Sequence, residues 1–337
     1  MAAYWMNTLK RQFDDKPIAA HLYVTDRCNL DCFYCTEYDN EVPHPKTADL
    51  KKWIQKIKDL GCLRIGLQGG EPLLHPDIIE LVHFCKSIGL RTSMSTNGFK
   101  LTQEIIEGFE DAGLDSLQVS VDRMTPIRST RKSLKSILPK IKLLQASKLN
   151  FNITGVMFKK SLEESRQVLE FAMEHDIPTH ARLVHAGPSG NYSVETGEKE
   201  QLQSMLDFQI QEKKKGRSIR TTATLFDYQR RLVTGEPLDW TCVAGYKYIF
   251  ISAQGKFWLC SMNRQPNTDI MDVTPEMLKS YFHKKSCQNG CGVYCIVSES
   301  LANNHPLKFA GREAADLLQH KTAQLWNKIF RNGKAAL

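Results

Sequence analysis

The chain has 337 residues, 42% apolar and 24% charged, an ordinary balance for a globular protein with one large domain and a smaller one. No apolar run reaches the roughly 18 residues that a bilayer span needs, and the segment before Lys10 lacks the apolar core of a secretory signal. The net charge of +8 is spread along the chain without aromatic interleaving, which argues against a nucleic-acid partner, and ten cysteines in tight groups point to reduced, metal-bound thiolates in a cytoplasm.

Strands and helices alternate along the first half. Apolar runs predict strands over 20–25, 63–67, 91–95, 116–121, 150–157 and 179–184, with helices over 47–60, 76–88, 102–112, 131–147 and 162–175 between them. Leu50, Ile54, Ile57 and Leu60 have the spacing of a core-facing helix. Gly61, Gly89 and Gly113 stand where C-caps are wanted, and Pro76 stands at a helix start. This alternation implies parallel strands with crossover helices, an α/β fold whose functional loops gather at the strand C-terminal ends. After residue 190 the pattern changes. Residues 186–194 read as a loop, 195–214 as a charged helix, and 246–252 with 256–260 as a β-hairpin turning at Gly255. The last stretch, 307–331, reads as a basic amphipathic helix with Leu317, Leu318, Leu325, Ile329 and Phe330 on one side. Trp326 and Arg331 raise membrane-surface contact, but packing over the barrel mouth or the hairpin region is the expectation.

Chemistry concentrates first in Cys28-x₃-Cys32-x₂-Cys35, directly after the apolar run His21–Val24. Arg27, Asn29 and Asp31 are polar and Asp26 and Asn29 are turn formers, so a loop that wraps a metal fits better than a buried helical stripe. Soft thiolates select zinc or iron–sulfur. Structural zinc wants a fourth Cys or His, and His21 and His44 lack standard ligand spacing. Three ligands leave one metal corner open for a non-protein group. Further on, Gly69-Gly70-Glu71-Pro72 follows the second strand, Ser95-Thr96-Asn97-Gly98 closes the third, and Leu117–Asp122 forms the fourth.

In this order, these four motifs resemble the radical SAM superfamily. The resemblance implies a partial (β/α)₆ TIM barrel with a small C-terminal β-hairpin, Cys-rich auxiliary domain. It implies that Cys28, Cys32 and Cys35 hold three irons of a 4Fe–4S cluster, whose fourth iron takes the amino and carboxylate groups of S-adenosylmethionine. Gly69 and Gly70 would let the backbone approach a ligand, and Glu71 would accept a hydrogen bond from the methionyl ammonium. Tyr34 would lie beside adenine, and Ser95, Asn97, Ser120 and Asp122 would meet ribose or carboxylate oxygens. One electron, from a flavodoxin- or ferredoxin-like donor, would then yield a 5′-deoxyadenosyl radical that abstracts hydrogen from a substrate.

The spacing Cys242-x₁₂-Gly255-x₄-Cys260 is similar to the SPASM or twitch extension of that superfamily. With two thiols from the series Cys287, Cys291 and Cys295, it implies a second, auxiliary 4Fe–4S cluster. Which two of the three are ligands stays open, and zinc on the same thiols is the alternative. A spare thiol, Cys291 or Cys295, is a candidate hydrogen-atom donor to a substrate radical. Cys62 and Cys85 read as small hydrophobes. His180, Arg182 and His185 are candidates to meet substrate or move protons. The expected division is 15–190 for the core, 191–305 for the auxiliary region and 306–337 for a terminal helix. A small metabolite or a peptide is the expected substrate. The competing reading is a non-catalytic zinc- or RNA-binding protein.

Overall fold

A computed structural model describes residues 2–128, 130–157, 161–183, 199–236, 238–288 and 290–334. Six parallel strands are β1 (Ala19–Tyr23), β2 (Arg64–Gln68), β3 (Arg91–Thr96), β4 (Ser116–Ser120), β5 (Phe151–Met157) and β6 (Thr179–Leu183). The helices α2 (Thr47–Leu60), α3 (Ile78–Ser87), α4 (Gln103–Ala112), α5 (Leu134–Ala146) and α6 (Leu162–Glu174) connect them; α1 (Ala2–Arg11) precedes the sheet. The helices bury one stripe each, as Leu50, Ile54, Ile57 and Leu60 do in α2, in a single core with Ile65, Leu67, Leu117 and Val119 of the strands. Alternate strand positions carry His21, Gln68, Ser95, Gln118, Thr154 and Arg182, so the opposite face of the sheet is polar. Cys62 and Cys85 are buried, and burial pushes each thiol up to about 12, the behaviour of inert core residues.

Two local expectations shift. Gly61 and Gly113 are left-handed C-caps, but Gly89 (φ +75°) lies one residue past the C-cap Ile88. Pro76 precedes α3 rather than opening it, because Asp77 takes the N-cap position. The charged helix is α7 (Lys199–Lys214) and α8 (Ala223–Thr234) follows it; residues 186–194 and His185 lie outside the described residues.

The larger difference concerns the hairpin. Strands β7 (Tyr248–Ile251) and β8 (Lys256–Cys260) form it, and β9 (Asn263–Asp269) adds a third antiparallel strand. Strand β7 pairs parallel with β1, giving one open sheet in the order β6-β5-β4-β3-β2-β1-β7-β8-β9. The hairpin therefore extends the barrel sheet past the expected boundary near residue 190. Helix α9 (Pro275–Ser280), a loop, α10 (Tyr294–Asn304) and α11 (Pro306–Lys334) complete the chain. Helix α11 lies on α7 and α8 through Lys213–Asp316 (2.6 Å), Arg312–Asp227 (3.5 Å) and a Glu313 carboxylate accepting from the Thr224 N–H (3.1 Å). Those contacts place it beside the auxiliary region, not over the barrel mouth. Leu317, Leu318, Leu325 and Trp326 are exposed, and Ile329, Phe330 and Arg331 lie outside the described side chains. No described helix is long and apolar enough to cross a membrane.

His21 shows how the sheet is locked at the β1–β7 seam. Its ring lies over Gly66, where a Cβ would come within 2.5 Å of Cδ2, and Nε2 meets the Tyr248 hydroxyl at 2.8 Å. Burial, aided by the Arg64 cation, lowers the proton affinity of His21 to about 3. Below the ordinary value of 6.5 the unfolded chain therefore binds a proton that the folded chain refuses. This contribution to stability is complete above pH 6.5 and falls as pH drops toward 3, by about 1.4 kcal/mol per pH unit. Urea midpoints between pH 6.5 and 5 should fall less steeply for His21→Gln than for the wild type; parallel slopes would contradict a neutral, buried imidazole.

Candidate active site and thiol centres

The cysteine loop runs from the C-terminal end of β1 and is closed on itself. Cys35 N–H donates to the Cys32 carbonyl (2.9 Å), Asp39 N–H to the Asp26 carbonyl (2.8 Å), and Cys28 N–H to Asn40 Oδ1 (2.9 Å). Cys32 is buried, while Cys28 and Cys35 are half-buried. The two histidines nearest in sequence are engaged elsewhere, His21 on Tyr248 and His44 on the Thr25 hydroxyl (2.8 Å).

Gly69 and Gly70 serve this loop. Gly70 N–H donates to the Thr25 carbonyl (2.9 Å) and Glu71 N–H to the Arg27 carbonyl (2.8 Å). A Cβ at Gly69 (φ +151°) would strike the Thr25 carbonyl oxygen, and one at Gly70 would strike those of Asp26 and Arg27. The close approach that these glycines permit here is to the cysteine loop itself.

Glu71 is 1% exposed and holds the next layer. Its Oε1 accepts from the Thr96 hydroxyl (2.6 Å) and Leu73 N–H (3.1 Å), and its Oε2 from Asn97 N–H (2.7 Å). Burial raises its pKa, against the pull of those donors. Asn97 in turn donates from Nδ2 to Asn29 Oδ1 (2.8 Å), with Cys28 Sγ 3.9 Å away. Both residues, expected at S-adenosylmethionine, brace the β2 and β3 loops against the cysteine loop.

A second group stands at the ends of β4 and β5. Tyr34 donates its hydroxyl to Asp122 Oδ2 (2.5 Å), which also accepts from the Thr130 hydroxyl (3.3 Å), and Asp122 Oδ1 accepts from Val156 N–H (3.3 Å). Thr130 Oγ1 is 3.7 Å from Cys32 Sγ. Lys132 Nζ sits 5.4 Å from the centre of the Tyr34 ring. Burial works against the Lys132 ammonium, but Tyr34, Asp122, Cys32 and Cys35 outweigh it and hold its pKa well above the lysine range. Burial pushes Cys28 up to about 11 and also raises Cys35, and Lys132 opposes both shifts. Lys132 belongs to no motif, and no spacing rule links it to the cysteines. Ser95 Oγ accepts from the amides of Gln68 (3.2 Å) and Gln118 (3.3 Å), and Ser120 stands half-buried on β4 opposite Thr154.

The remaining thiols lie at the other end of the sheet. Cys242 precedes β7, Cys260 ends β8, Cys287 and Cys291 lie in the loop before α10, and Cys295 is on the first turn of α10. Burial comes first in raising Cys242, Cys260 and Cys291, Cys260 to about 11, and negative charge on neighbouring thiols adds to it. Those neighbours are drawn from Cys242, Cys260 and Cys287. Lys285 is beside three of them and donates to the Cys242 carbonyl (3.2 Å). Cys295 differs: burial pushes it up to about 11, and its neighbours are Arg182, Cys260 and the Tyr248 hydroxyl. Among the described residues no three His, Cys, Asp or Glu converge as ligands of a single metal ion. His180 and Arg182 project from β6 on the polar face of the sheet.

Residues 22–172 match the family model of the Radical SAM superfamily. The chain is 25% identical over 301 residues to the AdoMet-dependent heme synthase of Methanosarcina barkeri, covering 80% of this chain and 86% of that protein. It is 40% identical over 108 residues to the PqqA peptide cyclase of Methylocella silvestris, a match limited to 31% of this chain and 29% of that protein. The fold is similar to Streptococcus suis SuiB bound to its precursor peptide SuiA, with a TM-score of 0.64 at 16% identity over 84% of this chain and 68% of that one. With the cysteine triplet at the C-terminal rim of a parallel sheet inside the matched segment, the chain is an enzyme of the radical SAM superfamily.

Proposed function

We propose that this enzyme cleaves S-adenosylmethionine reductively at a 4Fe–4S cluster held by Cys28, Cys32 and Cys35, and abstracts hydrogen from a small-molecule substrate. The observation that carries the reading is the donor set: three thiols on one closed loop, with the nearby His21 and His44 turned to other partners. Such a set fits a cluster with one open iron. When bound, the cluster supplies the electron that splits the sulfonium and gives the 5′-deoxyadenosyl radical. The protein's own part is preparation. Lys132 favours the deprotonated thiols, whose metal binding must release protons. Leu30 N–H, Asn97 Nδ2 and the Thr130 hydroxyl lie 3.4, 3.9 and 3.7 Å from cysteine sulfurs. Tyr34 is held by Asp122 in the place proposed for stacking beside adenine. Glu71 Oε2 has one protein donor and so keeps acceptor capacity for one ammonium N–H.

For the auxiliary site we assign Cys242, Cys260, Cys287 and Cys291 as ligands of a second 4Fe–4S cluster, supported by the nearness of Cys242, Cys260 and Cys287 to Cys291, whose thiol they act on electrostatically. Cys295, on a helix and turned toward Arg182 and Tyr248, is the spare thiol and the remaining candidate for hydrogen-atom donation. A small-molecule substrate is favoured because the relative matched over most of both chains is named a heme synthase, whereas the peptide cyclase match covers 31% of this chain. A flavodoxin- or ferredoxin-like protein is the proposed electron donor.

Anaerobic reconstitution should give about eight irons per chain, by the four-iron stoichiometry of such clusters. Removing Cys242 with Cys260, or Cys287 with Cys291, should leave about four, while Cys295→Ala keeps about eight; an iron loss in Cys295→Ala equal to that of the pairs would refute the ligand choice. Glu71→Gln places an NH₂ against the Thr96 hydroxyl or the Asn97 N–H and should cost the metal-free chain about 2 kcal/mol in urea unfolding. An unchanged midpoint would show that the carboxylate is not engaged by these protein donors.

A further inference from the structure

The polar face of β5 and β6 carries a cluster that the chemistry at the cysteine loop does not use. Asn152 and Thr154 come from β5, His180 and Arg182 from β6, and Arg220 from the segment that pairs beside β6, where Arg220 N–H donates to the Thr179 carbonyl (2.9 Å). Thr154 Oγ1 meets His180 Nε2 at 2.5 Å, and an Arg220 Nη donates to Asn152 Oδ1. Three further polar atoms of the cluster, Asn152 Nδ2, His180 Nδ1 and Arg182 Nε, are buried without a hydrogen bond. Asn152 and His180 are 1% and 3% exposed. Asn152 Nδ2 and Arg182 Nε can only donate, and His180 Nδ1 joins them as a donor in the tautomer whose Nε2 accepts from the Thr154 hydroxyl.

Charge points the same way. Neither guanidinium has a carboxylate partner among the described residues; Arg182 lies 5.3 Å from the centre of the Tyr294 ring and beside the Cys295 thiol and the Tyr248 hydroxyl. Burial lowers the pKa of both arginines; for Arg182, Tyr294 and Cys295 oppose that shift and the neighbouring Arg220 cation adds to it. Buried donors are ordinarily satisfied and buried charges ordinarily paired. Two like charges held together with unmet donors are the inverse of a structural salt bridge, and they match a ligand that brings negative charge and several acceptor lone pairs.

We propose that Arg182, Arg220, His180 and Asn152 form an oxyanion pocket that anchors a carboxylate or phosphate group of the substrate. This rests on the reading of the chain as an enzyme acting on a small molecule, and it adds that the molecule is anionic. Arg182 also lies beside Cys295, so the anchored group sits next to the one auxiliary-region thiol left out of the proposed cluster.

The test is thermal melting of the reconstituted full chain, with S-adenosylmethionine saturating and ionic strength balanced by chloride. Inorganic phosphate and acetate are the two probes. At least one should raise the midpoint saturably, and which one does so separates a phosphate-binding from a carboxylate-binding pocket. Arg182→Met and Arg220→Met should each abolish the saturable rise, and Arg182→Lys should keep part of it. Without any probe anion, Arg182→Met should melt a few degrees higher than the wild type, because it removes an unpaired buried charge. The proposal is overturned if neither anion gives a saturable rise, if the Met variants respond as the wild type does, or if the rise disappears once S-adenosylmethionine is present. Should Arg182→Met fail to fold, Arg220→Met decides on the same readout. Melting requires no turnover, so a wild-type chain that binds the anion but makes no 5′-deoxyadenosine would overturn the enzymatic reading alone.

Discussion

One buried carboxylate connects every part of the cysteine site. Glu71 follows the glycine pair that docks on the start of the cysteine loop, and its two oxygens reach the Thr96 hydroxyl and Asn97 N–H at the end of β3. Asn97 then returns to Asn29 inside the cysteine loop. Three loops from three parallel strands are thereby tied into one rim that carries the thiols. The energetic logic is that of a buried polar network, which rigidifies the groups it pairs and destabilises the fold when one member is lost. That rim is where a sulfonium compound would have to dock.

Much of this was legible in the residues, and the reasons are specific. Core-facing periodicity marked α2 because its apolar residues face a single core, and the six parallel strands were marked by apolar runs between turn-forming residues. Strand β9 (Asn263–Asp269) escaped because it is a half-exposed edge strand of polar residues with no alternating apolar face. The pairing of β7 with β1 could not be read, since strand partners more than two hundred positions apart leave no local pattern. At the site, the motif residues were visible in sequence and their protein partners were not. Glu71, Asn97 and the two glycines carry a motif visible in sequence, but their hydrogen bonds run to other loops of the protein, and only the folded chain shows that. Lys132 was invisible because its importance comes from proximity to Tyr34, Asp122 and two cysteines, with no spacing to betray it. Cys295 shared a regular spacing with Cys287 and Cys291, and it was the start of α10 between them that turned it elsewhere.

The two faces of the sheet divide the work. One buries Ile65, Leu67, Leu117 and Val119 under helices and supplies the hydrophobic stabilisation. The other carries glutamines, serines, His21, His180 and arginines, some with donors unmet, which is a poor way to stabilise a fold. Function accounts for that cost: groups that destabilise the free protein are those held ready for a ligand. The proposed arginine-lined pocket follows this pattern, with buried donors on one face of the sheet and, among the described residues, no carboxylate beside them.

The central claim is that the thiols of residues 28, 32 and 35 hold the cluster that splits S-adenosylmethionine. It is tested most directly by incubating anaerobically reconstituted protein with dithionite and S-adenosylmethionine and quantifying 5′-deoxyadenosine for the wild type and Cys32→Ala. The account predicts steady formation by the wild type and none by the variant. Equal formation by both, or a colourless wild type that binds zinc and forms none, would contradict it.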